Sequence, residues 1–334
     1  MRGLGLRIGI IAVNRTAVDS SANHNTTVAL DGRVGIGDAM TVDAWGARTE
    51  TPNRTGDDLG YSVRGTYQTA DWNHSARIIQ VGPDFNPEVG FLNRSGGYRY
   101  YEFMLMRFVR NPRLRWLKDW NPHTSLRNYY RPDGYFQSGW WHIDVTELEL
   151  ADGGRFGPEL NLYHEGLQQP FAISSNVTLP VGQYNYTELG LDWETNPGQP
   201  LWLKFRGDFG PFYNGTRNGG NVTFTYRYGA SLSSSLLVDY NNVRLVQGRF
   251  ERKLVGARLA YFFTPRLFVQ SLTQYSNQAR VWTANARLGW LSTAGTGLFV
   301  VLNDGEEADG FFSWRRPQSR SLVIKYARQF GSGT

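Results

Sequence analysis

The segment from Trp282 to Trp290 constrains the fold most, because its residues alternate strictly between apolar and polar. Successive residues of a β-strand point to opposite sides, so this pattern predicts a strand with one apolar and one polar face. At ~3.3 Å per residue and a tilt of ~40°, its eight steps span roughly 20 Å, close to the ~25 Å apolar band of an outer-membrane barrel. Tryptophan at both ends of the apolar face matches the two lipid–water interfaces of a membrane.

Four other segments alternate in the same way, namely 59–69, 201–209, 221–228 and 254–263. A charged residue at the lipid-facing midpoint of a strand costs ~2–4 kcal/mol, so the charged faces are predicted to line a water-filled lumen. The candidate lumen residues are Arg33, Arg64, Lys204, Arg206, Asp208, Arg227, Arg258, Asn285 and Arg287. They could select anionic or hydroxyl-rich solutes, or they could form an internal hydrogen-bond and ion-pair network in the wall. A soluble protein of two stacked sheets is the alternative fold.

Clusters of Gly, Pro, Asn and Asp divide the chain into about 18 strands, with 16 as the alternative. The predicted strands are 4–14, 26–35, 38–50, 58–69, 73–82, 97–110, 113–128, 137–150, 157–167, 183–195, 201–212, 220–230, 234–244, 250–263, 266–275, 280–291, 297–303 and 319–330. Long connections at 15–25, 83–96, 168–182 and 304–318 alternate with short turns, as in outer-membrane barrels. The fold class predicted is therefore all-β, a single antiparallel transmembrane β-barrel that occupies residues 1–334 as one domain.

Composition agrees with this interpretation. Aromatic residues make up 14% of the 334 residues, and the residues expected at the lipid interfaces are Trp282, Trp290, Tyr261, Tyr326 and Phe330. The mean hydropathy is −0.44, and no apolar run approaches the ~18–20 residues of a membrane helix. The chain has no cysteine, and its net charge of +6 is dispersed along strands without a basic stripe, so we expect no thiolate site and no nucleic-acid partner.

The two ends of the sequence lead to two further expectations. No signal peptide precedes the first alternating segment, which begins near Leu4, so the chain is expected to be the C-terminal part of a longer precursor. The last strand ends in Phe330, which resembles the signal that the barrel-assembly machinery reads, although four more residues follow. Outer-membrane lipid and this machinery are the expected partners, together with a small polar solute.

Several sequence motifs carry a family resemblance. They are Phe85-Asn-Pro-Glu-Val-Gly-Phe91, Asn285-Ala-Arg-Leu-Gly-Trp290 and Gly295-Thr-Gly-Leu-Phe-Val-Val-Leu-Asn303. These motifs resemble the C-terminal barrel domain of a large family of bacterial outer-membrane proteins of unassigned function. Longer members of that family carry an N-terminal module like the family 9 carbohydrate-binding modules. The resemblance implies a barrel in the outer membrane of a Gram-negative bacterium, and it supplies no substrate.

The segment Phe85–Phe91 is a candidate constriction loop, in which Phe85, Asn86, Glu88 and Phe91 are the residues of interest. It could fold into the pore with Glu88 facing lumen arginines, or it could be an external loop packed by its two phenylalanines. The sequence leaves both open.

No catalytic residue, metal ligand or cofactor is predicted. The five histidines show no ligand spacing, and the pair His142 and Asp144, which share a strand face, lacks a nucleophile to complete a hydrolytic site. The function that the sequence favours is a porin-like channel for small polar or anionic solutes. The alternatives are a barrel that anchors or docks a separate, possibly carbohydrate-binding domain and, less favoured, a barrel hydrolase.

Overall fold

The computed structural model describes residues 5–111, 113–293, 296–313 and 315–328. Within these ranges the regular secondary structure consists of 22 β-strands. The all-β, antiparallel fold class expected from the alternation is confirmed. No helix in the described ranges is long and apolar enough to cross a membrane.

The strands have the following bounds. The first eleven are β1 (Gly5–Thr16), β2 (His24–Ile36), β3 (Met40–Glu50), β4 (Leu59–Gln68), β5 (Trp72–Val81), β6 (Tyr98–Arg107), β7 (Leu117–Trp120), β8 (His123–Tyr130), β9 (Phe136–Asp144), β10 (Leu148–Leu150) and β11 (Arg155–Leu167). The remaining eleven are β12 (Phe171–Ser174), β13 (Val177–Leu179), β14 (Gly182–Glu194), β15 (Leu201–Phe212), β16 (Gly215–Tyr228), β17 (Leu232–Leu245), β18 (Gly248–Thr264), β19 (Leu267–Ser276), β20 (Val281–Thr293), β21 (Thr296–Ala308) and β22 (Arg315–Ala327).

Twenty of the strands belong to one hydrogen-bonded sheet, and β12 and β13 pair as a separate two-stranded ribbon. The chain divides into two compact units. In the first, which lies within 1–148, 158–173 and 178–188, each strand of the series β1 to β6 pairs antiparallel with the next. The ladder then continues from β6 through β8, β9 and β11 and bypasses the short strand β7.

The second unit lies within 149–157, 174–177 and 189–334. Its strands from β14 to β22 follow one another without a crossover, each antiparallel to the next. This up-and-down order is the arrangement in which short turns can join every strand to its neighbour.

The sheet of the first unit has one exposed apolar face. Phe103 of β6 lies opposite Leu126 of β8, which lies opposite Trp141 of β9, and all three side chains are exposed, Trp141 by 46%. The neighbouring row on the other face joins His142 to Asn161, and both are buried. We call the first surface the apolar face and the second the polar face.

The second unit repeats this division. On its apolar face Leu288 lies opposite Val300, which lies opposite Ile324, and Ile324 is 66% exposed. On its polar face the amide of Asn285 donates to Asn303 Oδ1 at 2.5 Å. The amide of Asn303 donates in turn to Ser321 Oγ at 3.1 Å. The alternation in the sequence therefore corresponds to two chemically opposite faces.

The strand count exceeds the expected 18 for three local reasons. The predicted strand 113–128 is interrupted at Asn121–Pro122, where proline cannot donate a ladder hydrogen bond, and becomes β7 and β8. The predicted strand 137–150 is interrupted by 145–147 and becomes β9 and β10. The predicted connection 168–182 contains the two strands of the ribbon, β12 and β13, which accounts for the total of 22.

The predicted connection 304–318 is also mostly strand, because β21 continues to Ala308 and β22 begins at Arg315. Strands in this sheet reach 17 residues in β18, and at ~3.4 Å per residue that is roughly 58 Å, much more than an apolar band of ~25 Å requires. A strand that extends this far carries polar residues on both faces near its end.

Gly97 closes the connection between β5 and β6, residues 82–97. Its φ of 76° lies in the left-handed region, and a Cβ there would be 2.7 Å from the nitrogen of Pro83 and 2.9 Å from the carbonyl oxygen of Val81. Only glycine fits such a close approach without strain. The connection therefore depends on this position.

We expect Gly97→Ala to lower the free energy of unfolding by ~1–3 kcal/mol, because the side chain adds a strained φ and a clash with the backbone. Gly65→Ala is the matched control, since a Cβ at Gly65 has no atom within 4 Å. Denaturant unfolding of both variants in detergent would measure the difference. Equal stability of the two variants would contradict the role of Gly97.

Candidate functional site on the polar face

An ion-pair network occupies the polar face of β14, β15 and β16. Arg206 Nη1 lies 2.7 Å from Asp192 Oδ2, and its Nη2 lies 3.7 Å from Asp208 Oδ1. Arg217 Nη2 is 3.7 Å from the other oxygen of Asp208. Lys204 Nζ lies 4.0 Å from Glu194 Oε2 near the end of the same strands. The structure thus brings three predicted lumen residues, Lys204, Arg206 and Asp208, onto one surface and supplies them with counter-charges.

A second charged group lies on β2 to β5. Arg33 pairs with Asp43, and Asp43 is opposite Arg64 in the next strand pair. Arg64 is in turn opposite Arg77, whose Nε donates to Ser62 Oγ at 3.1 Å. The Nε of Arg64 is buried and has no hydrogen-bond partner among the described residues. On the polar face of β2 to β5, these three arginines therefore outnumber the single aspartate of the group.

The other predicted lumen residues have different surroundings. The guanidinium of Arg287 stacks over the ring of Phe299 at 4.2 Å, which is a cation–π distance. Arg258 is exposed on β18. Arg227 lies near the end of β16 and donates to the carbonyl of Pro197 in the connection before β15, so it belongs to the end of the sheet and not to the middle of the polar face.

The candidate constriction loop is anchored by Phe85. Its ring is buried with Val81, Tyr98 and Tyr100, and a Cβ at Gly60 would lie only 3.3 Å from it. The ring therefore covers the glycine of β4. Phe91, the second phenylalanine of the segment, is 86% exposed and does not take part in this packing.

Hydrogen bonds hold the middle of the loop to β2 and β3. The side-chain amide of Asn25 donates to the carbonyl of Asn86 at 2.8 Å, and the backbone N–H of Asn86 donates to Thr49 Oγ1 at 2.9 Å. Glu88 pairs with Arg15 of β1. Asn25 and Thr49 are each 1% exposed and belong to the polar face, so Asn86 and Glu88 lie over that face, fixed by buried groups.

Aromatic residues mark both ends of β20. At one end Trp282 packs against Tyr275 and Phe311, with ring centroids 5.3 and 4.9 Å apart. At the other end Trp290 is exposed on the apolar face beside Leu298, whose neighbour in β22 is Tyr326.

Two further interface candidates remain. Tyr261 is also exposed on the apolar face, near the end of β18. Phe330, which we predicted at the same interface, lies outside the described residues.

The structure brings together one cluster of side chains that the sequence analysis does not assemble. His142 and Asp144 share a strand face in the sequence pattern, and the third member, His123, lies on β8 opposite Asp144. One ligand atom from each residue lies within 4.8 Å of the others, so these three could hold a metal ion. The pairing register of β8 with β9 was the information that the histidine spacing alone did not contain.

No family model matches the sequence, and no curated protein matches it either. Among solved structures, the chain is similar to the siderophore receptor PirA from Pseudomonas aeruginosa, with a TM-score of 0.44 and 10% sequence identity. The similarity covers 96% of this chain and 72% of that chain.

We expect Asn25→Ala to release the loop 82–97 from the polar face, because it removes the donor to Asn86 and leaves that carbonyl unpaired, at ~1–3 kcal/mol. Limited proteolysis should then cut the loop faster than in the parent chain. Asn14→Ala is the control, since it removes an exposed hydrogen bond between Asn14 of β1 and Thr26 of β2. Unchanged cleavage in Asn25→Ala would show that other contacts hold the loop.

Proposed function

We propose that the chain forms a β-barrel of the bacterial outer membrane whose polar face lines a water-filled passage for small polar or anionic solutes. The observation that carries this proposal is the inversion of the faces, in which apolar side chains are exposed while polar ones are buried. Phe103 of β6 and Trp141 of β9 are exposed, whereas His142 on the other side of β9 and its neighbour Asn161 in β11 are buried. Hydrocarbon is the environment that such an exposed apolar surface fits.

A soluble two-layer protein would bury the apolar face under a second sheet. Exposure instead extends along individual strands, as at Leu6, Ile8 and Ile10 of β1 and at Phe224, Tyr226 and Tyr228 of β16. Monomeric soluble proteins rarely expose contiguous apolar patches of more than a few hundred Å². The membrane proposal accounts for these exposed rows without an additional partner.

The charges of the polar face support a preference for anions. Arg64, Arg258 and Arg287 make no ion pair within the described ranges, whereas acidic residues such as Asp192, Asp208 and Asp43 are paired with arginines. The net charge of the chain is +6. A passage lined in this way attracts anions, and the loop 82–97, which lies over the polar face of β2 and β3, would narrow it.

Membrane insertion predicts an asymmetric response to arginine. Phe103→Arg should lower the free energy of unfolding in lipid vesicles by ~2–4 kcal/mol, because the charge would face the middle of the bilayer. Met104→Arg changes the next residue, on the opposite face of β6, and should lower the free energy of unfolding by less. If the chain is soluble, Phe103 already faces water and the arginine should be tolerated at least as well as at Met104. Guanidinium unfolding of the two variants in lipid vesicles measures both free-energy changes.

A conducting passage predicts stepwise currents in planar bilayers. Arg258→Glu should reduce the preference for anions over cations, because it replaces an unpaired positive charge on the polar face. Arg115→Glu makes the same change of charge in an exposed turn between β6 and β7 and should leave the selectivity nearly unchanged. Bilayers without conductance, together with a folded inserted chain, would reject the channel and favour an anchoring barrel.

A further inference from the structure

His123, His142 and Asp144 form a compact cluster on the polar face of β8 and β9. The Nε2 atoms of the two imidazoles point at each other across 3.0 Å. Asp144 lies opposite His123 in the strand pairing and is 4% exposed, and His142 is 7% exposed. The three side chains are therefore held close together in a protected place.

The hydrogen bonds of Asn161 settle which nitrogen of His142 carries a proton. Trp140 Nε1, which can only donate, lies 2.7 Å from Asn161 Oδ1, and Asn161 Nδ2 donates to Glu159 Oε1 at 2.9 Å. The atom of Asn161 that faces His142 Nδ1 at 2.9 Å is thus an acceptor oxygen. His142 donates from Nδ1, and in its neutral form its lone pair is on Nε2.

The same reasoning applies to His123. Its Nδ1 lies 3.1 Å from the carbonyl oxygen of Asn121 and 3.2 Å from Glu147 Oε2, and both of these oxygens accept. His123 Nδ1 therefore carries the hydrogen, and the lone pair of the neutral ring is also on Nε2. Two neutral rings would then direct lone pairs at each other across 3.0 Å. This arrangement requires a positive charge between them.

We propose that His123, His142 and Asp144 bind a divalent transition-metal ion of the Zn²⁺ class. Imidazole and carboxylate are the ligands that such ions use, and Zn–N bonds of ~2.0–2.1 Å at a tetrahedral angle place two nitrogens about 3.3 Å apart. A carboxylate oxygen of Asp144 supplies the third ligand atom, and the N–H of Thr146 donates to Asp144 Oδ1 at 2.9 Å, which holds the carboxylate in place. Three protein ligands leave a coordination position for water.

The surrounding groups support a metal site. A metal-bound histidine normally donates its other ring N–H to a carboxylate, a carbonyl or a similar acceptor, which fixes the ring and the tautomer. His123 has Glu147 and the carbonyl of Asn121 in that position, and His142 has Asn161. The site is independent of the proposed channel, because its three ligands belong to the polar face of β8 and β9 whatever covers the apolar face.

A single proton shared by the two imidazoles is the competing explanation for the short distance. A metal titration of the wild-type chain distinguishes a bound metal ion from a shared proton without a mutation. After treatment with a chelator and dialysis, titration with Co²⁺ should produce visible d–d bands of a low-coordinate site with one equivalent per chain. Titration with Zn²⁺ should abolish these bands.

Variants assign the binding to the cluster. His123→Ala and His142→Ala should each weaken Zn²⁺ binding, measured by calorimetry, by at least 10-fold. Asn161→Leu should weaken it 10–100-fold, because it removes the acceptor that orients His142 and leaves all three metal ligands in place, and Asn161→Asp, which keeps an acceptor oxygen, should restore most of the affinity. His24→Ala, outside the cluster, is the control and should bind as the parent does.

Far-UV circular dichroism and the electrophoretic mobility of unheated samples would confirm that the variants fold. If the cluster variants fail to fold, the Co²⁺ spectrum of the wild-type chain decides alone. A wild-type chain that binds no Co²⁺ or Zn²⁺ leaves the shared proton as the explanation and overturns the proposal. Binding that persists unchanged in both His123→Ala and His142→Ala overturns it as well.

Discussion

The structure depends on one constraint, which is that an antiparallel ladder satisfies the backbone while it sends successive side chains to opposite faces. Every strand from β14 to β22 pairs with its neighbours, so the chemistry of each face follows directly from residue parity. The apolar rows are exposed, and the polar rows carry ion pairs and buried amides. The proposals for lipid contact and for a polar passage both follow from this separation.

The polar face can hold many charges because strand neighbours pair them across the ladder. Arg206 of β15 joins Asp192 of β14, and Arg217 of β16 joins Asp208 of β15, so the acids of these groups are compensated by adjacent strands. Partly exposed pairs of this kind contribute ~0–1 kcal/mol each to stability. Their larger effect is on the electrostatic potential of the face, where the arginines that remain unpaired determine the sign.

Periodicity of two identified the strands well, since β15 covers 201–212 as expected and β4 differs from the predicted bounds by one residue at each end. It failed where polar residues continue a strand, as at the end of β21, and where a proline divides one, as at Pro122. The lumen candidates could be assigned to a face from parity, but their partners could not. Arg227 bonds to a neighbouring connection, and His123 joins Asp144 only through the register of two strands. Such contacts depend on tertiary pairing, which a single sequence does not encode locally.

The most direct test of the account is the environment of alternate residues along β18. The chain contains no cysteine, so single cysteines at positions 257 to 261 can be spin-labelled in lipid vesicles without background. Labels in place of Ala257, Leu259 and Tyr261 should collide mainly with oxygen dissolved in the bilayer. Labels in place of Arg258 and Ala260 should collide mainly with a water-soluble nickel chelate. Equal access of the chelate to all five positions would contradict the claim that hydrocarbon covers the apolar face.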